Sequence, residues 1–123
     1  MSSTPKVTST VVSVDTQTDA GEPVLYLATP NAEVTGLIFE FEPGAVTEWM
    51  THPAPGYVYI LDGTLTVEFD DGHILGFGAG QGFLQARAAW HRGINRADVP
   101  LRFLAVFYGA AGVPNVLHPP LTA

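Results

Sequence analysis

The stretch YVYILDGTLTVEFDDGHILGF, residues 57–77, decides the fold of this 123-residue chain. Apolar and polar residues alternate along it, and this period of two places successive side chains on opposite faces of a β-strand. The dipeptides Asp62-Gly63 and Asp71-Gly72 interrupt the alternation. Asp-Gly is favoured in two-residue hairpin turns, where both central residues need positive φ. The stretch therefore predicts three strands joined by two tight hairpins.

Strand patterns continue on both sides of this stretch. On the N-terminal side, KVTSTVVSV and PVLYLA each predict a strand, and EVTGLIFEFEPG predicts one whose Leu37, Phe39 and Phe41 share a face. On the C-terminal side, GFLQA and LRFLAVFYG predict two more strands. No segment shows a convincing helical period. Many short strands in one small chain predict an all-β closed barrel or a jelly roll.

The chain length is that of one domain. We expect N-terminal strands and an edge segment in residues 1–33, and the barrel core in residues 34–108. The Gly/Pro-rich tail, residues 109–123, is expected to lie over the barrel or over a neighbouring subunit.

Composition excludes several classes of function. Hydrophobic residues make up 46% of the chain and charged residues 14%, which is typical of a well-packed globular protein. The net charge of −7 disfavours binding to nucleic acid or to an anionic membrane surface. The chain has no cysteine, which excludes disulfides and thiolate chemistry. Because the sequence shows no membrane span and no signal peptide, we expect a cytoplasmic protein.

Two segments carry a family resemblance. PGAVTEWMTHPAPGYVYILDG, residues 43–63, resembles the first motif of the cupin family, and GQGFLQARAAWHRGIN, residues 80–95, resembles the second. The resemblance implies a single-domain double-stranded β-helix barrel across residues 34–108. It also implies a homodimer.

In cupins these two motifs supply metal ligands, and the resemblance assigns His52 and His91 to ligand positions. Met50 stands where the family has another histidine, and Gly56 stands where it has a glutamate. Two imidazoles alone would hold a metal weakly, so we expect no firmly bound cofactor. The alternative is a weakly bound divalent transition metal at His52 and His91, with Glu48 or Tyr57 as a recruited ligand.

The resemblance also implies a pocket inside the barrel where His52 and His91 face each other. Without metal, a neutral imidazole can act as a general acid or base, so both are candidate catalytic residues. Arg87 would bind a carboxylate if the ligand is anionic. The candidate ligand-binding residues are Met50, Gly56, Tyr57, Arg87, Phe39 and Phe41, with Phe103 or Leu104 as a further wall of the pocket.

Three functions stay open on the sequence. The first is a cupin that binds or transforms a small organic molecule without a tightly held metal, by proton transfer if it is an enzyme. The second is a metal-dependent dioxygenase or isomerase that uses His52 and His91. The third is a ligand sensor without catalysis.

Overall fold

The computed structural model describes residues 4–119 of the protein. Within that range the chain forms seven β-strands and no helix, which confirms the all-β prediction. The strands are β1 (Ala32–Phe41), β2 (Gly56–Asp62), β3 (Thr64–Phe69), β4 (Ile74–Gly78), β5 (Gly82–Leu84), β6 (His91–Ile94) and β7 (Leu101–Ala110).

The seven strands form two antiparallel sheets. One sheet has the order β1-β7-β2-β5, and the other has the order β4-β3-β6. Apolar side chains from both sheets meet in a single buried cluster that includes Val58, Ile60, Leu65, Phe69 and Phe107. Two sheets around one shared core are the arrangement expected of a jelly-roll barrel.

The longest ladder joins β1 to β7 and runs from Ala32 opposite Ala110 to Phe41 opposite Leu101. Phe39 lies directly opposite Phe103, and their rings stack with centroids 5.1 Å apart. The alternation in EVTGLIFEFEPG therefore predicts the strand correctly. It also places two aromatic side chains, Phe39 and Phe41, towards the barrel interior.

Of the two predicted hairpins, only the second exists. β3 and β4 pair antiparallel around a turn in which Gly72 has a φ of 92°. The prediction of a hairpin at Asp62-Gly63 is wrong, because β2 and β3 belong to different sheets and do not pair. Gly63, with a φ of 82°, instead marks the corner where the chain passes from one sheet to the other. No described residue other than glycine has positive φ, so the two-residue turn geometry is absent at both sites.

The prediction of N-terminal strands is also wrong. Between residues 4 and 31 the described chain forms no strand, and its one isolated bridge joins Gln17 to Pro23 on either side of a turn. The valines of KVTSTVVSV are exposed, with Val7 at 99% and Val14 at 86%. Their alternation resembles a strand pattern, but no neighbouring strand supplies hydrogen bonds. The short strand β6 was not predicted from the sequence.

The C-terminal tail lies against the chain's own barrel in the described residues. Thr51 and Leu117 form an antiparallel bridge in which each N–H donates to the other's carbonyl at 2.9 Å. Residues 120–123 of the predicted tail lie outside the described range. Among residues 4–119, no helix is long and apolar enough to cross a membrane.

Candidate functional site

A cavity of about 300 Å³ lies inside the barrel. Side chains from both sheets line it, and most are apolar, which is typical of a site for a small organic molecule. Its polar lining comes from His52 and His91, from Thr47 and Gln85, and from Asp19 and His118 in the N- and C-terminal segments. The lining residues are Asp19, Phe39, Phe41, Thr47, Met50, His52, Leu65, Val67, Phe83, Gln85, His91, Gly93, Phe103, Phe107, Val116 and His118.

His52 and His91 meet at this cavity because three backbone hydrogen bonds align their segments. Met50 and His91 form an antiparallel bridge with N···O distances of 2.8 and 3.1 Å, and the His52 N–H donates to the Arg87 carbonyl at 2.9 Å. Both histidines are buried, at 2% and 5% exposure. Their Nε2 atoms lie 3.0 Å apart.

The Nδ1 atom of each ring is hydrogen-bonded to a backbone carbonyl. His52 Nδ1 lies 2.8 Å from the Asn115 oxygen, and His91 Nδ1 lies 2.8 Å from the Ala89 oxygen. A carbonyl can only accept, so each Nδ1 carries the proton in these contacts. In two neutral rings, this leaves both Nε2 atoms unprotonated and facing each other. The pair is therefore arranged to receive one cation or one proton donor between its Nε2 atoms.

Burial opposes protonation of this pair. Desolvation lowers the pKa of His52 to about 4, and the nearby His91 charge adds to the effect, while the Asn115 carbonyl acts in the opposite direction. Desolvation also lowers the pKa of His91, against the raising effects of the Ala89 carbonyl and Glu22. Near neutral pH the two rings are thus neutral bases that share a buried face.

Gly56 stands where the family motif has a glutamate, and its surroundings leave no room for a side chain. A Cβ on Gly56 would lie 2.7 Å from Phe107 Cε1 and 2.8 Å from Gln85 Oε1, closer than real Cβ contacts. The Phe107 ring is almost fully buried and packs on His52 at a centroid distance of 5.2 Å. The space in which a glutamate side chain would begin is therefore filled by an aromatic ring and an amide.

The structure brings several predicted residues together at the cavity and separates others from it. Met50, Phe39 and Phe41 line it together with His52 and His91. Gly56 and Arg87 instead line a small neighbouring pocket, and Tyr57 lines an outer cleft, where its hydroxyl bonds to Ser13. The further wall of the cavity is Phe103, and Leu104 does not line it.

Among the lining residues that the sequence analysis missed are Asp19, Gln85 and His118. Asp19 lies in a turn of the N-terminal segment, and its N–H donates to the Leu84 carbonyl at 2.9 Å. His118 reaches the cavity because the tail is pinned by the Thr51–Leu117 bridge. The sequence predicted that the tail lies over a barrel, but neither terminal segment has a motif that would indicate a side chain in the cavity.

Glu22 fixes the N-terminal segment to the loop before His91. Its carboxylate accepts the backbone N–H groups of Arg87, Ala88 and Ala89 at 2.7, 2.8 and 3.2 Å. Partial burial raises the pKa of Glu22, but these N–H donors outweigh it and hold the pKa below its usual value. Asp19, three residues earlier, is positioned by this anchor.

The donor set does not fit a firmly held divalent metal. His52 and His91 present two converging Nε2 atoms, each oriented through Nδ1 as metal-bound histidines usually are. Among the described residues, however, no group of three or more His, Cys, Asp or Glu side chains could hold an ion. Glu48, the proposed recruit, does not line the cavity, and its Oε2 instead lies 3.4 Å from His118 Nδ1.

Comparisons with known proteins agree with this architecture. A family model described as "Cupin domain" matches residues 37–107, more than half of the chain. No curated protein matches the sequence.

Several solved structures share the fold. An oxalate decarboxylase from Lactobacillus farciminis, solved as a formate complex, is 27% identical with a TM-score of 0.59 over 69% of this chain and 26% of its own. The polyketide cyclase RemF from Streptomyces resistomycificus is 22% identical with a TM-score of 0.61 over 75% of this chain and 63% of its own.

A Bacillus subtilis oxalate decarboxylase, described for its Mn(II) centers, is 28% identical with a TM-score of 0.56 over 69% of this chain and 23% of its own. This chain thus spans about a quarter of the length of the oxalate decarboxylases it matches. The barrel, the two motifs at its centre and the matching family model together show that the chain belongs to the cupin family.

Proposed function

We propose that this cupin binds a small organic molecule in its barrel cavity, without a firmly held metal. The observation that carries the proposal is the cavity itself, an apolar space of about 300 Å³ on which two buried imidazoles converge. Phe39, Phe41 and Phe103 supply flat apolar walls. Such a cavity favours a ligand with a largely hydrocarbon body.

The imidazole pair gives this cavity a chemical capacity beyond binding. A neutral Nε2 of His52 or His91 can accept a proton from a bound molecule, and its ring partner, 3.0 Å away, stabilises the resulting imidazolium. Isomerisation, dehydration and elimination all need such a proton transfer. We propose this class of reaction for the site if the protein is an enzyme, and a ligand sensor as the alternative.

Naphthalene, a flat hydrocarbon, tests the binding proposal. We expect it to shift the amide resonances of cavity residues in NMR spectra of the wild-type protein. Val67→Phe adds a ring to the cavity wall and should reduce the affinity at least roughly 10-fold by loss of space. The matched control Val99→Phe, at an exposed site, should leave it unchanged. Equal affinity in both variants would contradict the proposal.

The metal-dependent alternative is tested by elemental analysis of protein purified without chelator. We expect less than about half an equivalent of transition metal, because two imidazoles make an incomplete ligand set. His52→Ala should not change this content. A full equivalent that is lost in His52→Ala would support the metal enzyme.

The homodimer implied by the family resemblance stays a prediction. Exposed apolar side chains on the N-terminal segment and on β1 are consistent with a subunit contact, among them Val7, Val11, Val34 and Ile38. Light scattering after size-exclusion chromatography distinguishes a dimer from a monomer. Val34→Glu/Ile38→Glu should shift a dimer towards monomer.

A further inference from the structure

The cavity contains two polar groups that the proposed function does not use. They are the carboxyl group of Asp19 and the side-chain amide of Gln85, and both residues line the cavity. Asp19 Oδ1 and Gln85 Oε1 are buried and have no hydrogen-bond partner among residues 4–119. Buried polar atoms are nearly always paired, so each exception needs an explanation, such as a partner that comes from a bound molecule.

The other polar side chains of the cavity already have partners. The Thr47 hydroxyl donates to the Glu48 carbonyl and accepts the Gly93 N–H. His118 Nδ1 lies 3.0 Å from the Trp49 oxygen. His52 and His91 bond through Nδ1 to backbone carbonyls and face each other through Nε2. Apart from this facing pair, the buried side-chain atoms of the cavity that lack a partner, within the part of the chain described, are the two oxygens.

Asp19 and Gln85 enter the cavity from adjoining backbone. The Asp19 N–H donates to the carbonyl of Leu84, the residue before Gln85, and the Gln85 N–H donates to the carbonyl of Gly56. Gln85 Oε1 lies beside the Gly56 backbone, where the family has its glutamate. A ligand group that reaches one of these side chains is therefore close to the backbone that carries the other.

The charges around these oxygens disfavour an anionic ligand. Neither lysine nor arginine is among the described residues that line the cavity. Desolvation raises the pKa of Asp19 to about 7, and the nearby Glu22 charge adds to this, although the Ala86 N–H and His73 act in the opposite direction. An incoming carboxylate would meet two oxygens and two neutral imidazoles, whereas a hydroxyl or N–H would find acceptors.

We propose that Asp19 and Gln85 determine the ligand specificity of the cavity, and that the ligand is an uncharged, mostly apolar molecule that donates a hydroxyl or N–H group to them. This inference rests on the proposed function, because it takes the cavity as the binding site. It differs from the anionic ligand that Arg87 suggested in the sequence, since Arg87 does not line the cavity.

Three probes with one hydrocarbon body test the inference, namely naphthalene, 2-naphthol and 2-naphthoate. Naphthalene reports whether the cavity binds an apolar body at all, and 2-naphthol adds one hydroxyl donor. We expect 2-naphthol to bind wild-type protein roughly 10-fold more tightly than naphthalene, because it gives a buried oxygen its missing partner. We expect 2-naphthoate to bind most weakly at pH 7.5.

Substitutions assign the hydroxyl contact to its residues. Asp19→Leu or Gln85→Leu should remove most of the advantage of 2-naphthol and leave naphthalene affinity within roughly threefold of wild type, because leucine preserves the apolar volume. Asp19→Asn, which keeps a hydrogen-bonding side chain of the same size, should retain part of the advantage. Asp15→Leu, at an exposed site on the same segment, is the matched control.

The outcomes separate this inference from the proposed function. Failure of naphthalene and 2-naphthol alike to bind wild-type protein overturns both. Naphthalene binding with an equal or lower affinity for 2-naphthol, or with tight binding of 2-naphthoate, overturns the specificity role alone. If Asp19→Leu does not fold, Gln85→Leu gives the deciding comparison, and an undiminished preference for 2-naphthol in that variant counts against the inference.

Discussion

His52 and His91 are separated by 39 positions in the sequence, yet their Nε2 atoms lie 3.0 Å apart inside the barrel. Each Nδ1 is occupied by a backbone carbonyl. The two Nδ1···O contacts and the Nε2···Nε2 contact together need three protons, whereas two neutral imidazole rings carry two. This imbalance makes the pair a buried base, and its protonation state is open to direct measurement.

We expect both rings to be neutral and protonated at Nδ1 at pH 7, as seen by 15N-edited NMR. The folded pKa of His52, about 4, lies below its unfolded value of 6.5. As the pH falls from 6.5 to 4, the unfolded state therefore takes up protons first, and the stability that depends on neutral His52 is lost. An imidazolium signal from either ring at pH 7 would contradict this.

The stability effect is measured as the difference between wild type and His52→Gln in urea unfolding. This difference should shrink by roughly 1–3 kcal/mol between pH 7 and pH 4. The comparison with His52→Gln is necessary because the titration of Asp19 changes the stability in the opposite direction over the same pH range. If the stability difference between wild type and His52→Gln does not change with pH, His52 has the same pKa in the folded and unfolded states, and the prediction is wrong.

Asp19→Asn should stabilise the protein at high pH. The folded pKa of Asp19, about 7, lies above its unfolded value of 3.8, so the wild type loses stability as the pH rises from 3.8 to 7 and then stays at the lower level. Asp19→Asn removes the ionisable group, so this variant does not lose stability as the pH rises. Its advantage at pH 8 should be on the order of 1–4 kcal/mol and should fall towards zero near pH 4. Thermal unfolding at both pH values checks this, with Asp15→Asn as control.

Gly56→Ala should destabilise the fold by roughly 1–3 kcal/mol, because the new methyl group would overlap the buried Phe107 ring and Gln85. Gly76→Ala is the matched control on a strand, since no atom lies within 4 Å of the place that its methyl group would take. Urea unfolding gives both values. If the overlap is the cause, Gly56→Ala should lower the free energy of unfolding less in a Phe107→Leu background than in the wild type.

Glu22→Ala should release the N-terminal segment from the loop before His91. Loss of three charge-assisted hydrogen bonds from a partly exposed carboxylate should cost roughly 2 kcal/mol. Because the pKa of Glu22 is lowered in the folded state, this stability is present above pH 4.5 and is lost as the pH falls below it. Amide exchange at Ala88 and Ala89 should quicken at pH 7. Unchanged exchange would contradict the anchor, and Glu33→Ala is the control.

The barrel fold and the two histidines at the centre of its cavity could be predicted from the sequence. Period-two alternation predicted β1, β3, β4 and β7, because strands that bury one face must alternate. The resemblance of two segments to the cupin motifs implied that His52 and His91 meet. The strand predictions depend on short-range patterns that each strand carries within itself, whereas the meeting of the two histidines came from the family resemblance.

The remainder of the site could not be read from such patterns. Asp19 reaches the cavity through contacts with residues more than 60 positions away, and the alternation of its segment resembles a strand that does not form. Arg87 and Tyr57 line other pockets, which the sequence could not indicate because prolines and alanines interrupt the strands near them and parity gives no direction there. Gln85 was missed because its importance depends on Gly56, a neighbour only in space.

The packing at Gly56 also limits how this barrel can change. A glutamate at position 56 also requires a smaller side chain at position 107. A substitution that makes Phe107 smaller opens, on its own, a void in a well-packed core. Either order of the two changes passes through a less stable protein. A chelating side chain at position 56 therefore requires at least two coupled substitutions in this barrel.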